Sequence, residues 1–130
     1  MSLLKIAIID DDEEDRMLFY DAIKEISEDF KVTSFSSGEA FFKNIDDNSF
    51  QVPDYIFLDY NMPILNGKEV LIKIKSFKTF KNVAVAIYST FLKKEEINTL
   101  EKLGADCCII KPNSFSKLKN SIKECIVSSS

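Results

Sequence analysis

The chain has 130 residues and is 45% apolar, enough for one buried core, and no apolar run approaches the ~20 residues that span a bilayer. Its net charge of −4 divides into a half with 5 basic and 15 acidic side chains (1–65) and a half with 12 and 6 (66–130), a pattern that argues against a nucleic-acid binder built on a basic surface. Histidine is absent, which excludes His-based zinc sites, Ser-His-Asp and Cys-His catalysis, and any part as a histidine phosphodonor.

Apolar runs alternate with helical patterns five times. Leu4 to Ile9 reads as a strand buried on both faces. Residues 14–28 carry Phe19, Ala22, Ile23 and Ile26 at helical spacing, with acids at the start where the helix dipole favours them. Phe30 to Phe35 is the second strand. Ser36-Ser37-Gly38-Glu39 starts a helix through Ile45, which Asp46-Asp47-Asn48 ends. The third strand runs from Asp54 to Asp59, and Pro63 with Asn66-Gly67 marks the loop after it. The next helix turns Val70, Leu71, Ile74 and Phe77 inward. Asn82 to Tyr88 is the fourth strand and Lys93 to Leu103 the fourth helix, closed by Gly104. Asp106 to Ile110 is the fifth strand, and Phe115, Leu118, Ile122 and Ile126 line the last helix. Strands alternating with helices predict an α/β fold, a doubly wound (βα)5 parallel sheet with right-handed crossovers, in the flavodoxin-like strand order 2-1-3-4-5. One domain over 4–127 is expected, with Met1-Ser2-Leu3 and Ser128-Ser129-Ser130 as tails. Cys107, Cys108 and Cys125 form no CxxC motif and read as buried reduced thiols of a cytoplasmic protein.

Polar residues punctuate the ends of four of these strands: Asp10-Asp11, Asp59, Ser89-Thr90 and Lys111-Pro112. The carboxyl ends of parallel strands are where ligands bind, and the first and third strands flank the switch point, so Asp10 and Asp11 are expected beside Asp59. Three clustered carboxylates repel unless a cation joins them, and Mg²⁺ suits an all-oxygen donor set. A carboxylate can accept a phosphoryl group as a nucleophile, with Lys111 as a point charge and Ser89 as a hydroxyl donor. Each feature alone has an ordinary explanation. Asp10 to Asp15 would suit a helix start, Asp59 a turn, Ser89-Thr90 the cap of the next helix and Lys111 a solvated surface. Their joint placement favours a common site.

Ile8-Ile9-Asp10-Asp11, Leu58-Asp59-Tyr60-Asn61-Met62-Pro63 with Gly67, Ser89-Thr90 and Lys111-Pro112, in this order, resemble the receiver domains of bacterial two-component response regulators, CheY-like proteins. The resemblance covers residues 4–127. It implies that Asp59 accepts a phosphoryl group from a histidine kinase or a histidine phosphotransfer protein. It implies Mg²⁺ held by Asp11, Asp59 and the backbone carbonyl of Asn61, with Asp10 acting mainly through metal-bound water. Ser89 and Lys111 would grip the phosphoryl oxygens, and the Lys111–Pro112 peptide would be cis. The chain would then be a signalling phosphoacceptor rather than an enzyme, limited to self-phosphorylation and autodephosphorylation. Its output would be a protein target docking on residues 93–127, with no direct nucleic-acid or membrane partner.

Cys108 departs from the family pattern, standing where an aromatic residue usually precedes the lysine by three positions. Phe91, two residues after Ser89, is a bulky apolar group at a variable position. No segment after residue 127 is long enough to fold as an effector, so the chain reads as a stand-alone receiver or as part of a longer regulator. Haloacid-dehalogenase phosphatases use similar groups, but their Asp-x-Asp-x-Thr/Val motif is not matched by Asp10-Asp11-Asp12-Glu13-Glu14. A flavodoxin would need a Ser/Thr/Gly-rich phosphate loop where this chain has consecutive acids.

Overall fold

The five apolar runs become five short strands, and the amphipathic segments between them become helices. A computed structural model describes residues 4–47 and 49–128. In chain order the elements are β1 (Lys5–Ile9), α1 (Glu13–Ile26), β2 (Lys31–Phe35), α2 (Gly38–Asn44), β3 (Tyr55–Asp59), α3 (Gly67–Ser76), β4 (Ala84–Ser89), α4 (Lys94–Lys102), β5 (Cys107–Ile110) and α5 (Phe115–Ser128). A 3₁₀ turn, Lys78–Phe80, buries Phe80 and displaces the expected start of β4 from Asn82 to Ala84. All pairings are parallel, in the order β2-β1-β3-β4-β5, as the flavodoxin-like reading requires. Asn48, expected at the end of the second helix, lies outside the described residues, as do the tail residues 1–3 and 129–130.

Side chains alternate across each strand, so the sheet sorts them into two cores. Ala7, Ile9, Ile56, Leu58, Val85 and Ile87 face Phe41 of α2, Val70, Leu71 and Ile74 of α3 and Leu100 of α4. Ile6, Ile8, Phe57, Ala86, Tyr88 and Ile109 face Phe19 and Ile23 of α1 and Leu118 and Ile122 of α5. The central strand β3 is buried at every position, which is why its sequence shows an unbroken apolar run.

Local signals set the helix ends. Asp12 caps α1, its Oδ1 accepting from the Glu14 N–H at 2.9 Å, and Ser37 caps α2. Helix α4 ends in a Schellman motif: Gly104, at φ 111°, donates to the Glu101 carbonyl, and Ala105 donates to that of Leu100. Asn66 and Glu69 form a reciprocal capping box on α3, with bonds of 2.9 and 3.0 Å. Asn66→Ala should therefore cost about 1 kcal/mol in urea unfolding. An unchanged midpoint would show that the box adds nothing to α3.

Two cysteines correct the sequence reading. Cys107 and Cys125 are joined in a disulfide with their Cα atoms 6.0 Å apart, while Cys108 is the free thiol. Strand alternation explains the choice. Cys107 points toward α5 and Cys108 toward the opposite core, and Cys125 lies on the buried stripe of α5. Only the packing of α5 on β5 brings the first and last thiols together.

Candidate functional site

The sheet register assembles the site. Ile9 pairs with Leu58, so the next residues, Asp10 and Asp59, leave adjacent strands side by side. Asp59 in turn pairs with Tyr88, and Ser89 with Ile110, which places Ser89 and Lys111 at the same edge. The Lys111 N–H donates to the Ser89 carbonyl at 2.8 Å and fixes the end of β5 against β4. The carboxylates of Asp10, Asp11 and Asp59 each offer an oxygen, and these oxygens lie within 4.8 Å of one another. Asp10 and Asp59 are buried, whereas Asp11 is exposed.

Hydrogen bonds lock this arrangement. Asp10 Oδ2 accepts from the Tyr88 hydroxyl at 2.6 Å, and its Oδ1 accepts from the Asp12 N–H at 2.9 Å. Asp59 Oδ1 accepts from the Asn61 N–H at 3.2 Å. The Asn61 side chain donates to Ser89 Oγ at 2.8 Å, and the Ser89 hydroxyl donates to the Phe91 carbonyl at 3.0 Å. The loops after β3 and β4 are therefore tied to each other beside the carboxylates. A second tie runs from the Tyr60 hydroxyl to Glu96 Oε2 of α4, at 3.0 Å.

Burial dominates the electrostatics. It pushes Asp59 up to about 7, and the neighbouring Asp10 carboxylate pushes in the same direction, against Lys111 and the Asn61 N–H. Burial also raises Asp10, opposed by the bonds from Tyr88 and Asp12 and by Lys111. Burial alone would lower Lys111, but the hydrogen bond to Asp15 and the charges of Asp10, Asp59 and Asp15 hold it above its ordinary value. Burial and the mutual charge of Asp10 and Asp59 thus act together, with Lys111 as the opposing cation. A hard divalent ion would relieve this repulsion, and the donor set, all oxygen, fits Mg²⁺ in kind.

Sequence reasoning missed two of the residues that hold the site. Asp15, read only as a helix-dipole acid, pairs with Lys111 at 2.5 Å. Tyr88, read only as strand core, reaches Asp10 with its hydroxyl while its ring stacks on Phe19 at 4.1 Å. Its place immediately before Ser89 was the available signal, because alternation puts it on the α1 side of the strand end. One further expectation is corrected. All peptide bonds of the described residues are trans, Lys111–Pro112 included, the isomer that X–Pro bonds favour by ~0.5–1 kcal/mol. The ordinary explanation of Ser89-Thr90, as the cap of the next helix, does not hold for α4. That helix begins at Lys94, where the Lys93 N–H donates to Glu96, while the Ser89 hydroxyl stays within its own loop. Cys108 is half-buried and its thiol is pushed up to about 11 by burial, whereas Phe91 is exposed.

A family model described as the response regulator receiver domain matches residues 6–123. The chemotaxis protein CheY1 of Helicobacter pylori is 24% identical over 120 residues, which are 92% of this chain and 94% of that protein. The two-component response regulator ARR3 of Arabidopsis thaliana is 34% identical over 97 residues, covering 68% of this chain and 42% of that one. Among solved structures, the phosphorylated cyanobacterial phytochrome response regulator RcpA superposes with a TM-score of 0.81 at 29% identity, covering 95% of this chain and 91% of its own.

Proposed function

The chain belongs to the response regulator receiver domain family, and we propose that Asp59 is its phosphoacceptor, loaded in a Mg²⁺-dependent step by a histidine kinase or a histidine phosphotransfer protein. The observation that carries this reading is the convergence of Asp10, Asp11 and Asp59 at the carboxyl edge of the sheet, with Ser89 and Lys111 at the adjoining strand ends. The 29% identity to a response regulator described as phosphorylated supports it. Residues 4–127 are read as one receiver unit, and cytoplasmic residence is proposed from the family alone, since the Cys107–Cys125 disulfide removes the reduced-thiol argument for it. Among the described residues no helix is long and apolar enough to cross a membrane.

Asp11, Asp59 and the Asn61 carbonyl are the proposed metal ligands, with Asp10 acting through water. When bound, Mg²⁺ would neutralise the carboxylates and the incoming phosphoryl oxygens. An oxygen of Asp59 attacks phosphorus, the bond to the donor nitrogen breaks, and the phosphoryl group is left on the carboxylate. Lys111 then meets one phosphoryl oxygen as a point charge. The Ser89 hydroxyl, which bonds to the Phe91 carbonyl before the reaction, ends the strand paired with that of Asp59 and would turn toward another. That exchange pulls on the Ser89–Asn61 bond and on the loop leading to α4. The signal would leave through the face of α4, β5 and α5, residues 93–127, where Lys93, Lys94, Lys117 and Lys123 provide cations for a protein target, Lys119 being paired with Glu25 of α1. The role is that of a signalling phosphoacceptor, with self-phosphorylation and slow autodephosphorylation as its only reactions.

Intact-mass spectrometry after incubation with acetyl phosphate tests the reading. With Mg²⁺ the wild type should gain a single phosphoryl group. With EDTA, or in Asp59→Asn, it should gain none. Continuous multiple-turnover release of phosphate, dependent on an acid other than Asp59, would point to a phosphatase instead.

A further inference from the structure

Lys111 has a partner that the phosphoacceptor reading does not use. Its ammonium lies 2.5 Å from Asp15 Oδ2 and 3.9 Å from Asp10 Oδ2, and 4.9 Å from the centre of the Tyr88 ring. Among the described residues these two carboxylates form its ion pairs, and Asp59 is not one of them. The pair with Asp15 is partly shielded, the two side chains being 15% and 28% exposed. Asp15 stands in the first turn of α1, and the next residue, Arg16, donates to the Asp10 carbonyl at 2.7 Å. The start of α1 is thus tied to the site through both Asp15 and Arg16.

We propose that Asp15 is a positioning residue that holds Lys111 while Asp59 is unmodified and gives it up when a phosphoryl group arrives, so that phosphorylation releases one of the two ties on the first turn of α1. The inference rests on the phosphoacceptor reading and deepens it. A phosphoryl group brings ≈ −1.5 to −2 charges and three acceptor oxygens to Asp59, whereas Asp15 offers one carboxylate. A single ammonium on a flexible stem serves whichever acceptor is stronger. The coupling is reciprocal: by whatever factor the phosphoryl group weakens the Asp15 pair, the Asp15 pair weakens binding of the phosphoryl group.

The test is titration with beryllofluoride, a phosphoryl mimic, at saturating Mg²⁺, followed by amide NMR. Asp15→Asn should tighten the midpoint by ~3–10-fold, the range for losing a partly shielded competing ion pair. Asp15→Glu, which keeps charge and reach, should stay within about twofold of wild type. Glu14→Gln should do the same, since it removes an equal charge from an exposed neighbour without touching Lys111. In the wild type the amides of residues 13–18 should shift on saturation, and in Asp15→Asn that shift should shrink. A midpoint for Asp15→Asn that is unchanged or weaker overturns the proposal. So do wild-type α1 amides that stay still, a result that decides the matter even if the variant fails to fold. If wild type and Glu14→Gln both ignore beryllofluoride, the phosphoacceptor reading itself fails, and this inference falls with it.

Discussion

Gly67→Ala should destabilise the protein by about 3 kcal/mol, at the upper end of the cost of overpacking. A Cβ at this position would lie 2.6 Å from the Asp59 carbonyl oxygen and 2.6 Å from the Tyr60 Cα. Both obstacles are backbone, so no side-chain rotation relieves them. Gly67 also donates its N–H to the Tyr60 carbonyl at 2.9 Å, which closes the loop between β3 and α3. The methyl group must push this loop away from α3, and the loop begins at Asp59. The loss should therefore be double: a lower urea midpoint and weaker Mg²⁺ binding measured by calorimetry. By contrast, the added Cβ in Gly38→Ala would meet a side chain, that of Val70, rather than backbone. If Gly67→Ala unfolds at the wild-type urea concentration, the close approach of α3 to the Asp59 backbone does not exist as described.

Asp59→Asn should stabilise the metal-free protein by about 2–4 kcal/mol at pH 8 and by nearly nothing at pH 4. The sign follows from the raised pKa. Asp59 titrates near 3.8 when unfolded and near 7 when folded, first because of burial and then because of Asp10. Between those values the native state holds a proton that the unfolded chain has released. Stability consequently falls as pH rises across this window, and the full penalty is present above about 7. An amide keeps the acceptor for the Asn61 N–H without the buried charge. Urea unfolding in EDTA at pH 4, 6 and 8 measures the difference. Mg²⁺ should recover much of the wild-type deficit at pH 8 and do little for Asp59→Asn. Equal stability of the two proteins at pH 8 would mean that Asp59 is not held in an uncompensated acidic pocket.

The strand ends were legible because a parallel sheet converts a one-dimensional signal into a place. An apolar run that stops at Asp10, Asp59 or Ser89 must deliver that residue to the carboxyl edge. Strand order followed from the number and alternation of the elements, and caps such as Ser37 and Gly104 from local backbone chemistry. The unread features depend on how separate layers meet. Nothing local to Asp15 shows that it faces Lys111, which is 96 residues away and reaches it across the carboxyl edge of the sheet. The Tyr88 hydroxyl reaches Asp10 while its ring stacks on Phe19 of α1, a contact between separate layers. Cys107 and Cys125 meet through the rotation of α5 on β5. The start of α4 at Lys93–Lys94 was read correctly, but not that Glu96 accepts from both the Lys93 backbone and the Tyr60 hydroxyl there, a tie that depends on tertiary packing.

The most direct test of the account is to locate the modified residue. Wild-type protein treated with acetyl phosphate and Mg²⁺ is trapped with borohydride, which reduces an acyl phosphate to an alcohol, and the peptides are sequenced by mass spectrometry. The account predicts the conversion of Asp59 to homoserine in the peptide that contains it, dependent on Mg²⁺, with Asp10 and Asp11 unmodified. Modification at another carboxylate, or a full reaction in EDTA, would contradict it.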